Sequence, residues 1–471
     1  MPVTPHRRMR KERDFLGEKS LPAEAYYGIQ TQRAVENFSI SGQRAHPTFI
    51  EAYIMIKRAA AVSNMETKAL DKRIGRAIVR AADEVLRGKL RDQFVVDIFQ
   101  AGAGTSFNMN VNEVLANRAI EILGGRKGDY SIVHPNDHVN MSQSTNDTFP
   151  TAMRVSALLT IDDLLKSLDG LAGAFEAKGK EFDHILKSGR THLMDAVPIR
   201  LGQEFTAYSR TLKKLSRYIR STANELCELG IGGTAVGTGI NTHPLYRTKV
   251  IRELRRLTGL PLIAAPDMRE AMQSNFPIAA LSSALRLLAL EIIRISGDLR
   301  LLGSGPATGL GEIDLPAVQP GSSIMPGKVN PVMAEMISMV AYQVIGNDLA
   351  ISMAVQAGQL ELNVMMPVMI SNLLSSIEIL TNAMRAFSER CVRGITADEE
   401  RCRDYAQKST GLATALAPYI GYHRAAEVAR KALTEGKAIP DVVREMGLIP
   451  EKDFIRILDP YHMTGKRRRK P

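Results

Sequence analysis

Four separated segments carry side chains able to handle a small anion. They are GAGTSFNMN around Thr105, SQSTND around Ser144, GRTH ending at His192, and GSSIMPGKVNP from Gly321 to Pro331. Each combines small residues with hydroxyls, amides or a single cation. Such groups suit a carboxylate, and they can meet the charge that builds on it when a neighbouring C–H proton is removed. Each segment also has a plain alternative. Clusters of Ser, Thr, Asn and Gly make turns and helix caps because their side chains bond nearby backbone groups. A lone His192 is by default a structural histidine, and Lys328 a solvated one. The chain carries no metal-ligand cluster, no nucleotide-binding glycine fingerprint and no G-x-S-x-G elbow, so neither a metal nor a cofactor is expected.

The elements that must position these segments read as helices. Apolar residues recur at three-to-four spacing in MRVSALLTIDDLLKSLDGLAGAFEAKGKEF and PIAALSSALRLLALEIIRISGDLRLL, with few strand-like alternations, so the fold is expected to be all-α. Thr148 and Pro150 suit a helix start, since proline in the first turn sacrifices no intrahelical hydrogen bond. From Val332 to Val355 the pattern is apolar around most of the circumference and rich in methionine, which predicts burial on all sides, inside a bundle or between subunits. Between Gly303 and Pro331 repeated glycines and prolines forbid a regular helix and predict a long loop. Loops of that length are commonly lids or binding loops; a flexible connector is the bland alternative.

Bulk properties narrow the class. A chain of 471 residues, 45% hydrophobic, can bury a large core in two to four units. Cys227, Cys391 and Cys402 are too few and too scattered for a disulfide framework, and the basic N-terminal run has no apolar stretch behind it. A cytoplasmic location is therefore expected. The apolar stretch from Ile278 to Leu302 is interrupted by Arg286, Glu291, Arg294, Asp298 and Arg300, which predicts a buried core helix and no membrane partner. The net charge of +11 is concentrated in HRRMRKER and GKRRRKP near the two ends, read as solvated tails. No interleaved aromatic pattern accompanies it, so no nucleic-acid partner is expected.

Together the four segments resemble the aspartase/fumarase superfamily, whose mobile-loop signature GSSIMPxKxNP is met in full by Gly321–Pro331. The other three follow in the family's order, and the resemblance covers nearly the whole chain. AYYGIQTQRAVENF from Ala25 to Phe38, GAGTS in place of GSGTQ, and SQSTND in place of SQSSND are similar to the aspartase branch rather than the fumarase branch. The resemblance implies a three-domain subunit, with 1–143 an N-terminal domain, 144–397 a central long-helix bundle and 398–471 a small helical domain. It implies a homotetramer with active sites built from several chains. The implied activity is reversible removal of ammonia from L-aspartate to give fumarate, a small-molecule reaction without a cofactor.

The same resemblance implies roles residue by residue. Thr105, Ser144, Thr145 and Ser323 would contact the β-carboxylate; Thr191, Lys328 and Asn330 would hold the α-carboxylate; Asn146 and His192 would face the amino group. Arg33 is a further candidate for the anion site. General chemistry favours His192 as the base because imidazole titrates near neutrality, whereas the resemblance assigns proton removal to Ser322. A serine can act so only if its alkoxide is stabilised, here by backbone amides and Lys328 after loop closure. The sequence departs from the aspartase pattern at Ala307, Met366 and Met194, where arginine, glutamate and glutamine are usual. Two other readings stay open: a fumarase, which differs in its leaving-group pocket, and a non-catalytic member of the family.

Overall fold

Residues 8–465 are described in a computed structural model of the chain. The basic run 466–471 lies outside them. Most of the N-terminal basic cluster does not form a solvated tail: Met9–Asp14 (β1) pairs antiparallel with Gly17–Pro22 (β2). Arg10 binds Glu12 and the carbonyls of Ala25 and Tyr27, so its guanidinium staples the chain that follows.

Helices dominate, as the periodicity predicts. The first are α1 (Ile29–Asn37), α2 (Pro47–Glu66), α3 (Lys72–Leu86) and α4 (Thr105–Ile122). Long helices follow: α5 (Thr145–Glu181), α6 (Leu201–Asn224), α9 (Phe276–Leu302), α10 (Val332–Gln356) and α11 (Met366–Arg390), with the shorter α7 (Tyr246–Thr258) and α8 (Met268–Gln273) between α6 and α9. Short helices from α12 (Glu399–Lys408) to α17 (Pro460–Met463) complete the chain. The remaining strands are brief: β3 (Leu186–Thr191) with β4 (Met194–Arg200), β5 (Glu228–Leu229) with β6 (Ile263–Ala264), and β7 (Ile313–Asp314) with β8 (Thr396–Ala397).

By contact density the chain forms two compact units. One contains the chain up to Leu164, Tyr218–Leu287 and Gln343–Ile379; the other contains Leu165–Arg217, Leu288–Tyr342 and the chain from Leu380. These boundaries fall within the long helices. A 37-residue helix such as α5 is about 55 Å long, more than one compact core can cover.

In the first unit an aromatic cluster joins α2, α4 and α5. Phe49 lies 5.2 Å from Phe107 and 5.0 Å from Phe149 between ring centroids, and Tyr53 stands edge-on to Phe107 at 5.3 Å. Edge-to-face and tilted contacts of this kind add to the gain from burying large apolar rings. Gly104, just before α4, adopts φ +89°, and a Cβ there would overlap the Phe149 ring. The starts of α4 and α5 can therefore approach closely only with glycine at this position.

In the second unit Phe175, Phe182, Phe205 and Tyr208 pack together, and a separate cluster including Leu412, Leu416, Val428, Val442 and Phe454 joins the C-terminal helices. β3 and β4 form a hairpin whose two turn residues, His192 and Leu193, both have positive φ, the geometry that matches the twist of the flanking strands.

Two expectations are corrected and a third holds. Helix α5 starts at Thr145, not near Thr148, and Pro150 lies inside it. The start is set upstream by a reciprocal cap: the Ser144 hydroxyl accepts the Asn146 N–H, and Asp147 accepts the Ser144 N–H. Helix α10 is not buried on all sides, for Met339, Tyr342, Leu349 and Met353 form an exposed apolar stripe. Helix α9 is long and apolar enough to cross a membrane by length and composition, yet half of its most apolar window is buried in the protein. Its Ser282 and Arg286 both bind Asp348, consistent with a core helix.

Candidate active site

The expected residues fall in both units: Thr105, Ser144, Thr145 and Asn146 in the first, and Thr191, His192, Ser322, Ser323, Lys328 and Asn330 in the second. In the first unit, Thr105 and Thr145 are the first residues of α4 and α5, and their hydroxyl oxygens stand 3.3 Å apart. Thr145 is buried; Thr105 is exposed and also donates to the Gly102 carbonyl. The first turn of a helix holds N–H groups without intrahelical acceptors and the positive end of the dipole, so two such starts side by side favour an anion. Ser144 is half-buried and caps α5, while the Asn146 amide donates to the Ala235 carbonyl at 2.9 Å.

The segment is braced from below. Asp147 is fully buried and accepts three backbone N–H groups, from Ser144 at 2.9 Å and from Gly232 and Thr234 at 3.0 Å each. Burial pushes its carboxyl up to about 7, against the opposing pull of those three N–H groups. The glycine-rich turn that supplies two of the donors is thereby locked to the helix start. In the sequence Asp147 is visible only as part of SQSTND, and the repeated glycines of GIGGTAVGTG are the signal for the turn that holds it.

In the second unit, Thr191 and His192 sit exposed at the tip of the β3–β4 hairpin. The hairpin is anchored by a buried charge cluster. Glu312 accepts two hydrogen bonds from Arg190, at 2.9 and 3.0 Å, and lies 3.2 Å from Lys187, which also reaches Glu204 at 3.0 Å. Burial pushes the Glu204 carboxyl up despite Lys187. Because the Glu312 N–H donates to the Leu302 carbonyl, the same residue pins the root of the long loop. Arg190 and Glu312 were not singled out from sequence; only the inter-segment contact reveals them.

The long loop is tied to itself. The Gly321 N–H donates to the Lys328 carbonyl, and the Asn330 amide donates to the Gly321 carbonyl, both at 2.7 Å. Ser322 Oγ accepts the N–H groups of Ile324 at 3.2 Å and Met325 at 3.0 Å. Two N–H donors on one hydroxyl oxygen are what an alkoxide needs. Ser323 and Lys328 are exposed.

Arg33 is placed elsewhere. Its guanidinium makes two hydrogen bonds to Asp14, each 2.9 Å, and one to the Gly17 carbonyl. Hydrogen bonding to Arg33 holds the Asp14 carboxyl low. The charge is thus engaged in fastening β1 to α1 rather than offered to a ligand. Of the three departures from the family pattern, Met366 is buried at the start of α11, whereas Ala307 and Met194 are exposed.

The helical fold and its full-length relatives place the chain among the lyases. The chain matches the family model described as Lyase over residues 17–346 and that described as Fumarase C C-terminus over 412–465, and it belongs to the aspartase/fumarase family of lyases. Among its relatives are the aspartate ammonia-lyase of Bacillus subtilis (strain 168), 52% identical over 97% of this chain and 96% of that protein, and the aspartate ammonia-lyase of Escherichia coli (strain K12), 46% identical over 95% and 94%. Among solved structures, a cobalt-bound fumarate lyase:delta crystallin from Brucella melitensis has a TM-score of 0.94 at 50% identity, covering 97% of this chain and 99% of that one. A recombinant class II fumarase from Schistosoma mansoni has a TM-score of 0.93 at 38% identity, with coverage of 97% and 99%.

Proposed function

We propose that this chain deaminates L-aspartate reversibly to fumarate and ammonia. The observation that carries the reading is its 52% identity, over nearly the whole of both chains, to an aspartate ammonia-lyase. In this reading Ser322 Oγ, as an alkoxide supported by the N–H groups of Ile324 and Met325, takes the β-proton. The C–H electron pair passes into the β-carboxylate, giving an enediolate-like dianion. Thr105, Ser144, Thr145 and Ser323 hold that group, and their donors are aimed where charge develops. Thr191, Lys328 and Asn330 hold the α-carboxylate, and Asn146 and His192 orient the amino group. The enediolate then collapses, its electrons form the C=C bond, the C–N bond breaks, and ammonia leaves. No step calls for a cofactor.

The exposed stripe Met339, Tyr342, Leu349 and Met353 on α10 supports a homotetramer in which these helices bury one another. Motifs from different copies would then complete each site. A cytoplasmic location fits the three buried free cysteines. The deciding experiment offers the purified protein L-aspartate and L-malate separately and follows the ultraviolet absorbance of fumarate. Faster fumarate formation from aspartate is expected. Faster formation from malate would replace this reading with a hydratase, the activity carried in the name of the Schistosoma mansoni relative.

A further inference from the structure

Beneath the Thr105–Thr145 pair lies a charge that the reaction as written does not use. Lys57, near the middle of α2, is fully buried, and its ammonium donates to amide oxygens, Asn108 Oδ1 at 2.7 Å and Asn140 Oδ1 at 2.9 Å. Asn108 is three residues into α4 from Thr105. Tyr53, one turn before Lys57, bridges Asn108 at 3.2 Å and the Thr148 hydroxyl at 3.0 Å, and Thr148 is three residues into α5 from Thr145. The cation is therefore bonded about one helical turn into α4 from its start, and Tyr53 ties that level to the matching turn of α5.

The charged groups around it are largely spoken for. From α5, Asp147 acts on Lys57, but its oxygens are occupied by three backbone N–H groups. From α7, the buried Tyr246 hydroxyl has no hydrogen-bond partner and feels Asp147, while Glu253 is closed on Arg58 and Arg256. From α3, Glu84 is closed on Arg118 and Asp83 on Arg58. In the turn before α5, His138 Nδ1 accepts the His134 N–H. From α4 there are amides, Asn108 and Asn112. A buried cation bonded to neutral partners is costly in the free protein, and an anion arriving nearby relieves that cost.

We propose that Lys57 is a positioning and charge-supplying residue for the dicarboxylate site: held by Asn108 and Asn140 beneath the paired helix starts, its ammonium supports the substrate β-carboxylate and the second negative charge that builds there. The proposal rests on the reading of Thr105 and Thr145 as β-carboxylate contacts. A proton linkage follows. Burial pulls the Lys57 ammonium down to about 7, with Asp147 opposing. Near pH 8 the free protein therefore holds this amine largely neutral, and a bound dianion raises its proton affinity, so binding takes up a proton. Near pH 6 the amine is already charged and uptake fades.

Titration calorimetry of the full chain with fumarate, in two buffers of different ionisation enthalpy, reads this directly. Uptake approaching one proton is expected at pH 8 and little at pH 6. Lys57→Met should cut the uptake to what Asp147, raised to the same range, takes up by itself, and lower kcat/KM for L-aspartate by about a hundredfold. Asn140→Asp sets a carboxylate beside the ammonium and keeps it charged in the free protein, so it should cut uptake likewise; it serves if Lys57→Met does not fold. Failure of the wild-type chain to bind fumarate, binding without uptake at pH 8, or uptake unchanged in the variants would overturn the proposal. A chain that forms fumarate from aspartate yet shows no uptake refutes Lys57 and leaves the reaction standing. Lys57-dependent uptake in a chain that does not convert aspartate has the opposite meaning.

Discussion

The helix starts at Thr105 and Thr145 and the loop from Gly321 to Asn330 supply the same kinds of group, hydroxyls and N–H donors, by opposite means. The first are held by the fold: Asp147 binds three N–H groups, Tyr53 bridges both helices, Lys57 ties α4 to the turn at Asn140, and an aromatic cluster packs behind them. The loop is held by itself. Its hydrogen bonds link Gly321 to Lys328 and Asn330, and Ser322 to its own neighbours, while most of its side chains face solvent. In the proposed function the helix starts supply a preorganised anion seat and Ser322 carries its own N–H donors with it, so that loop closure need not build them.

Substitutions can break or sharpen that contrast. The largest effect is expected at Ser322→Ala, which should lower the maximal rate by several orders of magnitude while leaving fumarate binding as a competitive inhibitor intact, the pattern of an interaction used only in the transition state. Exchange of the aspartate β-proton with solvent at the normal rate in this variant would reassign the base, with His192 the next candidate. Thr145→Val comes next: removing one preorganised donor should cost about a hundredfold in kcat/KM with little change in melting temperature, and a near-normal value would show that the helix-start pair is only a cap.

A smaller effect tests whether the two regions meet across copies. Thr105→Ala and Ser322→Ala chains, each nearly inactive, should regain part of the activity when unfolded and refolded together, because some sites then receive neither lesion. Activity no greater than the sum of the separate variants would assign both regions to one subunit. The smallest effect is expected at Arg33→Ala. Since that guanidinium is spent on Asp14, steady-state kinetics with L-aspartate should be unchanged; a large rise in KM would return Arg33 to the anion site.

Several features are legible in the sequence. The long helices follow from apolar spacing, the 303–331 loop from its glycines and prolines, and the polar segments from side chains that are costly to bury without a purpose. The start of α5 was misread because Pro150 is a strong local signal, whereas the cap at Ser144 depends on Asp147 being held by a turn 85 residues downstream. The partner of Arg33 is hidden for a similar reason, since nothing in QTQRAVENF announces that Asp14 will lie beside it.

The sequence by itself determined the all-helical class, the family and the set of chemical groups, because helix periodicity, turn chemistry and a long motif are local properties of the chain. Tertiary structure decided which groups act together. Asp147 with the Gly232–Thr234 turn, Lys57 with Asn108 and Asn140, and Glu312 with Arg190 are partnerships between residues from about 50 to 120 positions apart. A buried charge is tolerable only where partners converge on it, and that convergence exists only once distant helices have packed.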